Sequence, residues 1–259
     1  MELWLERRPD DVQALLWRAE VKQLRSSTQE ALADYRRVAE LEPERDLARL
    51  RLAELLAAEH QPAEAVPHFE RLRQRQPTNP AVLLGLARCR RLLGEPAEAA
   101  PLLDALLESS PRDVGALGER GRLYLETGQP ADAERWLRMA AGLAPYDRDI
   151  IYALYLCLQQ SGKSKEAESY GAKLQEIEAQ LGRLRELTRQ IAATPHDPAL
   201  RHEAGMIFLS SGQAKEGLRW LYSALQEEPR YRPTHQALAD YYDSIGEKGQ
   251  AASHRRQAL

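Results

Sequence analysis

From Val114 to Asp147 the chain reads VGALGERGRLYLETGQPADAERWLRMAAGLAPYD. Pro145 in this stretch belongs to a series: Pro9, Pro43, Pro77, Pro111 and Pro145 lie 34 residues apart, a step of 50 leads to Pro195, and another 34 to Pro229. Gly128 belongs to a second series on the same ruler, Gly94, Gly128 and Gly162 at intervals of 34, then Gly212 after 50 and Gly246 after 34. Two residue types thus report one period and one insertion of 16 residues, which places an internal repeat along the whole chain. Small residues recur in register at Ala31, Ala65, Ala99, Ala133, Ala167, Gly217 and Ala251, where two helices can approach closely. Four residues later comes a bulkier side chain in most copies (Tyr35, Phe69, Leu103, Leu137, Leu221), the spacing of one helix face. Glycine can adopt the left-handed conformation that ends a helix, and proline marks where the next cannot continue. Each copy therefore reads as a helix-turn-helix hairpin.

Composition agrees. The 259 residues are 43% hydrophobic but only 6% aromatic and 29% charged, which suits thin layers built from Ala and Leu better than one large globular core. With 36 basic and 39 acidic side chains the net charge is −3, so phosphate neutralisation is not the design and nucleic acid is not an expected partner. Apolar runs are broken by Arg, Glu or Gln well short of the roughly 20 residues of a membrane-spanning helix, and the first thirty residues show no signal-peptide core. Cys89 and Cys157 are too few and too far apart for a disulfide framework, which fits a reduced or redox-indifferent compartment. The compartment stays open, leaning to the cytoplasm, with the periplasm as the alternative if an N-terminal signal has been removed. Only six of the basic residues are lysine, an arginine bias that suggests a GC-rich bacterial genome.

The stretch from Val114 to Asp147 carries Leu117, Gly121, Tyr124, Gly128, Ala133, Leu137, Ala140 and Pro145 at successive signature positions, and on these residues the chain resembles the tetratricopeptide repeat. The resemblance implies an all-α, right-handed superhelical solenoid of antiparallel helix hairpins, about seven repeats with one extended helix, as a single domain over 1–259. First helices are expected near Val12, Asp46, Pro80, Val114, Arg148, Pro198 and Arg232, with the insertion inside 165–195. Residues 1–11 read as the remnant of a preceding repeat, and Leu259 falls inside a second helix, so a portion of something longer is expected. Departures are Gly171 and Arg255 where Phe is usual, and Ser26 and His60 in place of the turn glycine.

No catalytic constellation emerges. His202-Glu203-Ala204-Gly205-Met206 begins like a zinc-protease motif, but Met206 stands where the second His belongs, and no metal or cofactor is assigned. The two cysteines fall at the tenth place of their copies and read as core filler. The glycines from Gly115 to Gly121 lie inside a helix rather than after a strand, so they do not form a phosphate loop.

In the family resembled, positions two, five, six, nine, twelve and thirteen of each copy line the concave groove. The ninth places run Glu20, Glu54, Arg88, Arg122, Leu156, Met206 and Asp240, a zoned series. Gly85, Gly115 and Gly118 cluster on that face, although an interior helical glycine costs about 1 kcal/mol against Ala, and they are read as a backbone floor for a ligand. Arg88, Arg91 and Arg122 beside the floor would hold a carboxylate or a peptide carbonyl, with Glu119 and Glu126 tuning selectivity. Inter-copy salt bridges and close helix packing are the alternative use of the same residues. The carboxylate clamp known in chaperone-binding members is not carried: Leu50 and Glu54 stand where Lys and Asn would be needed.

A second surface is expected on the long helix, where Tyr170, Leu174, Ile177, Leu181, Leu184, Thr188 and Ile191 follow alternating steps of four and three. That seam would form a homodimer, receive a partner helix or pack against its own neighbours. The chain is therefore read as a non-enzymatic scaffold that binds a protein or peptide. The alternatives are a regulatory or substrate-recruiting arm of a larger enzyme or secretion assembly and a self-assembling structural protein using the long helix.

Overall fold

A glycine able to take positive φ, with helix formers on either side, closes a hairpin, and this chain repeats that device. The computed structural model describes residues 2–25 and 27–259; Ser26, one of the two turn substitutions, lies outside them. Fifteen helices and no strand occur among the described residues. They form two compact units, Met1–Leu143 and Ala144–Leu259.

In the first unit a short α1 (Glu2–Arg7) precedes four hairpins. These are α2 (Val12–Leu24) with α3 (Thr28–Leu41), α4 (Asp46–Ala58) with α5 (Pro62–Arg75), α6 (Pro80–Leu92) with α7 (Pro96–Ser109), and α8 (Val114–Glu126) with α9 (Pro130–Leu143). The first helices α4, α6 and α8 also touch in succession, giving a layer of their own. In the second unit α10 (Arg148–Gln160) pairs with α11 (Ser164–Ala193), α12 (Pro198–Ser210) with α13 (Ala214–Glu227), and α14 (Arg232–Ser244) with α15 (Lys248–Ala258). α11 has 30 residues where α3, α5, α7, α9 and α13 have 14, so the insertion is an extension of one second helix.

Local chemistry sets the helix ends. Asp11, Asn79, Asp113, Asp147 and Asp197 each accept a hydrogen bond from a backbone N–H of the first turn that follows, at 2.8–3.0 Å. At the hairpin turns Gly94, Gly128, Gly162, Gly212 and Gly246 sit at φ of 71–83°. His60 adopts φ 58° in the same role, and its turn keeps the bond from Gln61 N–H to the Leu56 carbonyl (2.9 Å). A Cβ is disfavoured in that conformation, so His60→Gly should raise stability by about 0.5–1 kcal/mol in urea unfolding.

Paired volumes hold each hairpin shut. A Cβ on Gly121 would lie 2.5 Å from Leu137, and one on Gly205 would lie 2.7 Å from Leu221, so a small residue on the first helix admits a large one on the second. The hairpin of α10 and α11 reverses the pair: Tyr155 is large, and Gly171 sixteen residues on is small, with its Cβ position 3.4 Å from the Tyr155 ring. The departure at Gly171 is thus an exchange of sizes. A second regularity is polar. Arg49, Arg201 and His235, each fourth in its first helix, donate to the carbonyls of Pro43, Pro195 and Pro229, six residues earlier. They satisfy acceptors that leucine at the equivalent Leu83 and Leu117 cannot reach.

Candidate functional site

The charged residues of α6 and α8 converge on Glu119. Its side chain is 1% exposed, and it accepts from Arg88 Nε at 3.0 Å, Arg91 Nε at 2.7 Å and Arg122 Nη1 at 2.7 Å. Burial pushes the Glu119 carboxyl up, but Arg91, Arg122 and Arg88 together outweigh it and hold the group below its ordinary value. Burial likewise works against the Arg91 charge, and Glu119 with Glu126 overrides it. Arg91 also bonds Glu126 through Nη1. One carboxylate is thereby the hub of a cross-helix network. Sequence spacing had assigned Glu119 a tuning role beside the arginines, because charge type alone does not reveal which partner is buried.

The three arginines are not equivalent. Arg91 and Arg122 are mostly covered, whereas the Arg88 side chain is 46% exposed and uses only Nε on Glu119. Its terminal nitrogens have no hydrogen-bond partner among the described residues, and Arg88 lines a hollow of about 240 Å³. Glu54, Ala57 and Ala58 of α4, Phe69 of α5, and Ala81, Leu84 and Gly85 of α6 form the rest of its wall. Glu54 shares one carboxylate oxygen with Arg51 (3.0 Å).

Two of the glycines have a packing role. A Cβ on Gly85 would fall 2.3 Å from the Phe69 ring, and one on Gly115 would fall 2.6 Å from Leu84. Gly118 is buried. Gly85 and Gly115 thus allow neighbouring hairpins to approach, and because Gly118 is buried a bulky side chain there would disturb the helix pack rather than plug a groove. Phe69 is larger than Leu103, Leu137 and Leu221 at the same repeat position, and its ring lies where a Cβ on Gly85 would fall.

On α11 the expected seam is largely consumed within its own unit. Leu174 and Ile177 are buried, Tyr170, Leu184 and Ile191 are half-buried, Thr188 is exposed, and Leu181 is 41% exposed. Leu187, which the heptad spacing passed over, is fully buried. α11 packs on α10 and then on α12: Arg148 of α10 bonds Glu178 (3.1 Å), and Arg183 bonds Glu203 of α12 (2.5 Å). At 3.6 residues per turn Leu187 lies about 80° around the helix from Ile177, so the covered face turns as the neighbour changes.

Groups with chemical potential elsewhere are structurally engaged. Cys89 and Cys157 are buried, and burial lifts the Cys89 thiol to about 11. His202 Nδ1 bonds Thr234 Oγ1 at 3.0 Å. No helix among the described residues is long and apolar enough to cross a membrane.

Tetratricopeptide-repeat sequence profiles match residues 25–80, 56–113 and 91–145. Residues 25–145 carry tetratricopeptide repeats, a protein-interaction fold. Among solved structures it is similar to PilW, a "widely conserved type IV pilus biogenesis factor", with 22% identity and a TM-score of 0.58 over 68% of this chain and 81% of that one. It is also similar to MamA from Desulfovibrio magneticus RS-1, with 19% identity and a TM-score of 0.55 over 65% and 95% of the two chains. At these identities the likeness is one of fold. No curated protein sequence matches the chain.

Proposed function

We propose that the chain is a non-enzymatic interaction scaffold that takes an extended segment of a protein or peptide on the first-helix face of its first unit. The observation that carries this reading is Arg88, which lines the hollow between α4 and α6 and keeps both terminal nitrogens uncommitted. An extended peptide offers carbonyls for such donors and side chains for an apolar recess, and the Glu54 carboxylate, which also lines the hollow, complements a backbone N–H. Glu119, itself held by Arg91 and Arg122, holds Arg88 in place, while Gly85 lets α6 close on Phe69 of α5 and Gly115 lets α8 close on Leu84 of α6.

A displayed library of random twelve-residue peptides provides the probe. For peptides it selects, Arg88→Ala should weaken affinity at least tenfold by calorimetry, about 1.4 kcal/mol, with Glu119 still paired to Arg91 and Arg122. Arg36→Ala, which removes a partner of Glu64 on the second helices α3 and α5, should leave affinity unchanged. Equal effects of the two substitutions would exclude the first-helix face as the binding surface.

A further inference from the structure

The hairpin of α14 and α15 meets α13 through a chain of hydrogen bonds whose directions are all determined. His235 is buried, and its Nε2 lies 2.9 Å from the Pro229 carbonyl, which can only accept; Nε2 therefore carries a proton. In a neutral ring the other nitrogen is then bare. His235 Nδ1 lies 2.9 Å from His254 Nδ1, so the His254 nitrogen is the donor, and His254 Nε2 is left bare. The Tyr222 hydroxyl, 3.5 Å away, donates to that atom, and the Tyr242 hydroxyl donates to Tyr222 at 2.9 Å. The Tyr242 ring stacks on His254 with centroids 5.8 Å apart and planes 3° from parallel.

We propose that His235 and His254 form a proton-sensitive latch that holds α15 onto α13 and α14 and loosens it as pH falls. The physical reason lies in proton capacity. The docked pair takes one added proton at His254 Nε2, with the two tyrosine hydroxyls reversing direction. A second would place an N–H on each of the facing Nδ1 atoms, and their contact at 2.9 Å would turn from attraction into repulsion. Once α15 has moved away the two Nδ1 atoms no longer face each other, and each ring has room for a proton of its own. Acid therefore favours the loosened state.

The groups facing the pair offer no compensation. Tyr222 comes from α13 and Tyr242 from α14. Asp243 of α14, the nearby carboxylate, is paired with Arg255 of α15. No carboxylate bonds either imidazole among the described residues. Burial and the facing His235 both lower the affinity of His254 for a proton. Loosening α15 uncovers Leu238, Tyr242 and Ala251, members of one apolar cluster with Leu221.

Hydrogen exchange followed by mass spectrometry on the whole chain, corrected for intrinsic rates, tests the latch between pH 7.5 and 5. Protection of α15 relative to α8 and α9 should fall at least tenfold over this interval, because the loosened state binds at least one more proton. A constant ratio would overturn the proposal. His254→Asn cannot be charged, and its amide can turn to offer either its N–H to a neutral His235 or its oxygen to a protonated one, so docked and loosened states take equal numbers of protons and the response should flatten; a slope equal to that of the parent chain counts against the latch. Should this variant fail to fold, imidazole ¹⁵N shifts of the unaltered chain at pH 7.5 decide. Bare nitrogens at His235 Nδ1 and His254 Nε2 support the latch, and the opposite tautomers refute it.

Discussion

Glu119→Leu is expected to destabilise the first unit by about 3–5 kcal/mol, the range for removing one member of a buried charge network. The loss arises on the partner side. Arg91, with a side chain 10% exposed, and Arg122 would keep their positive charges near Arg88 with no carboxylate at the centre. Arg88 can turn to solvent and Arg91 retains Glu126, which sets the effect below the sum of three broken bonds. Urea unfolding followed by circular dichroism measures it, and a loss under 1 kcal/mol would show that the network is not load sharing. The pH dependence has a definite sign. A carboxyl held below its ordinary value of 4.5 contributes fully above that value, and the contribution drains away as pH falls through the folded-state value. Glu119→Gln should therefore be less stable than the parent at pH 7 and lose less on acidification to pH 3.

Phe69→Ala should cost about 3–5 kcal/mol, since the ring is fully buried and the space it leaves is bounded by helices already in contact. The informative experiment adds Gly85→Ala. In the parent chain the new Cβ would sit 2.3 Å from the ring, and overpacking of that kind costs about 1–3 kcal/mol. Once the ring is absent the same methyl group fills part of a cavity and should stabilise. A double-mutant cycle is expected to show the sign of Gly85→Ala reversing, by a coupling of more than 1 kcal/mol. If Gly85→Ala is equally costly in both backgrounds, Phe69 is not what keeps residue 85 small.

The architecture was legible in the sequence because proline and glycine act locally: a left-handed turn residue and a helix stop keep their meaning without knowledge of the rest of the chain. The seven first helices begin at Val12, Asp46, Pro80, Val114, Arg148, Pro198 and Arg232. The site was legible only as a region. Arg88, Arg91, Arg122 and Glu119 could be placed on one face by their spacing, but which carboxylate is enclosed depends on distances between helices of neighbouring hairpins. The same limit hid the His235–His254 pair, which is 19 residues apart in sequence and in contact only because α15 folds back on α14. On α11 the error came from a regular period. A heptad seam assumes one neighbour along the whole helix, and this helix has two, so Leu187 took the buried place and Thr188 was left in solvent.

The contact between Phe69 and Gly85, together with the Glu119 hub, bears on how such a chain can change over generations. Repeats of equal length invite loss or duplication of whole 34-residue cassettes by recombination. Size partners such as Gly121 and Leu137 lie within one hairpin and would travel together. Phe69 and Gly85, like Arg88 and Glu119, join one hairpin to the next. Excising residues 80–113 would set Glu119 at the place of Gly85, over the Phe69 ring, and would bring Glu54 and Ala57 to the places of Arg88 and Arg91. The copies resemble one another in outline, yet their order along the chain is locked by neighbours that fit only each other.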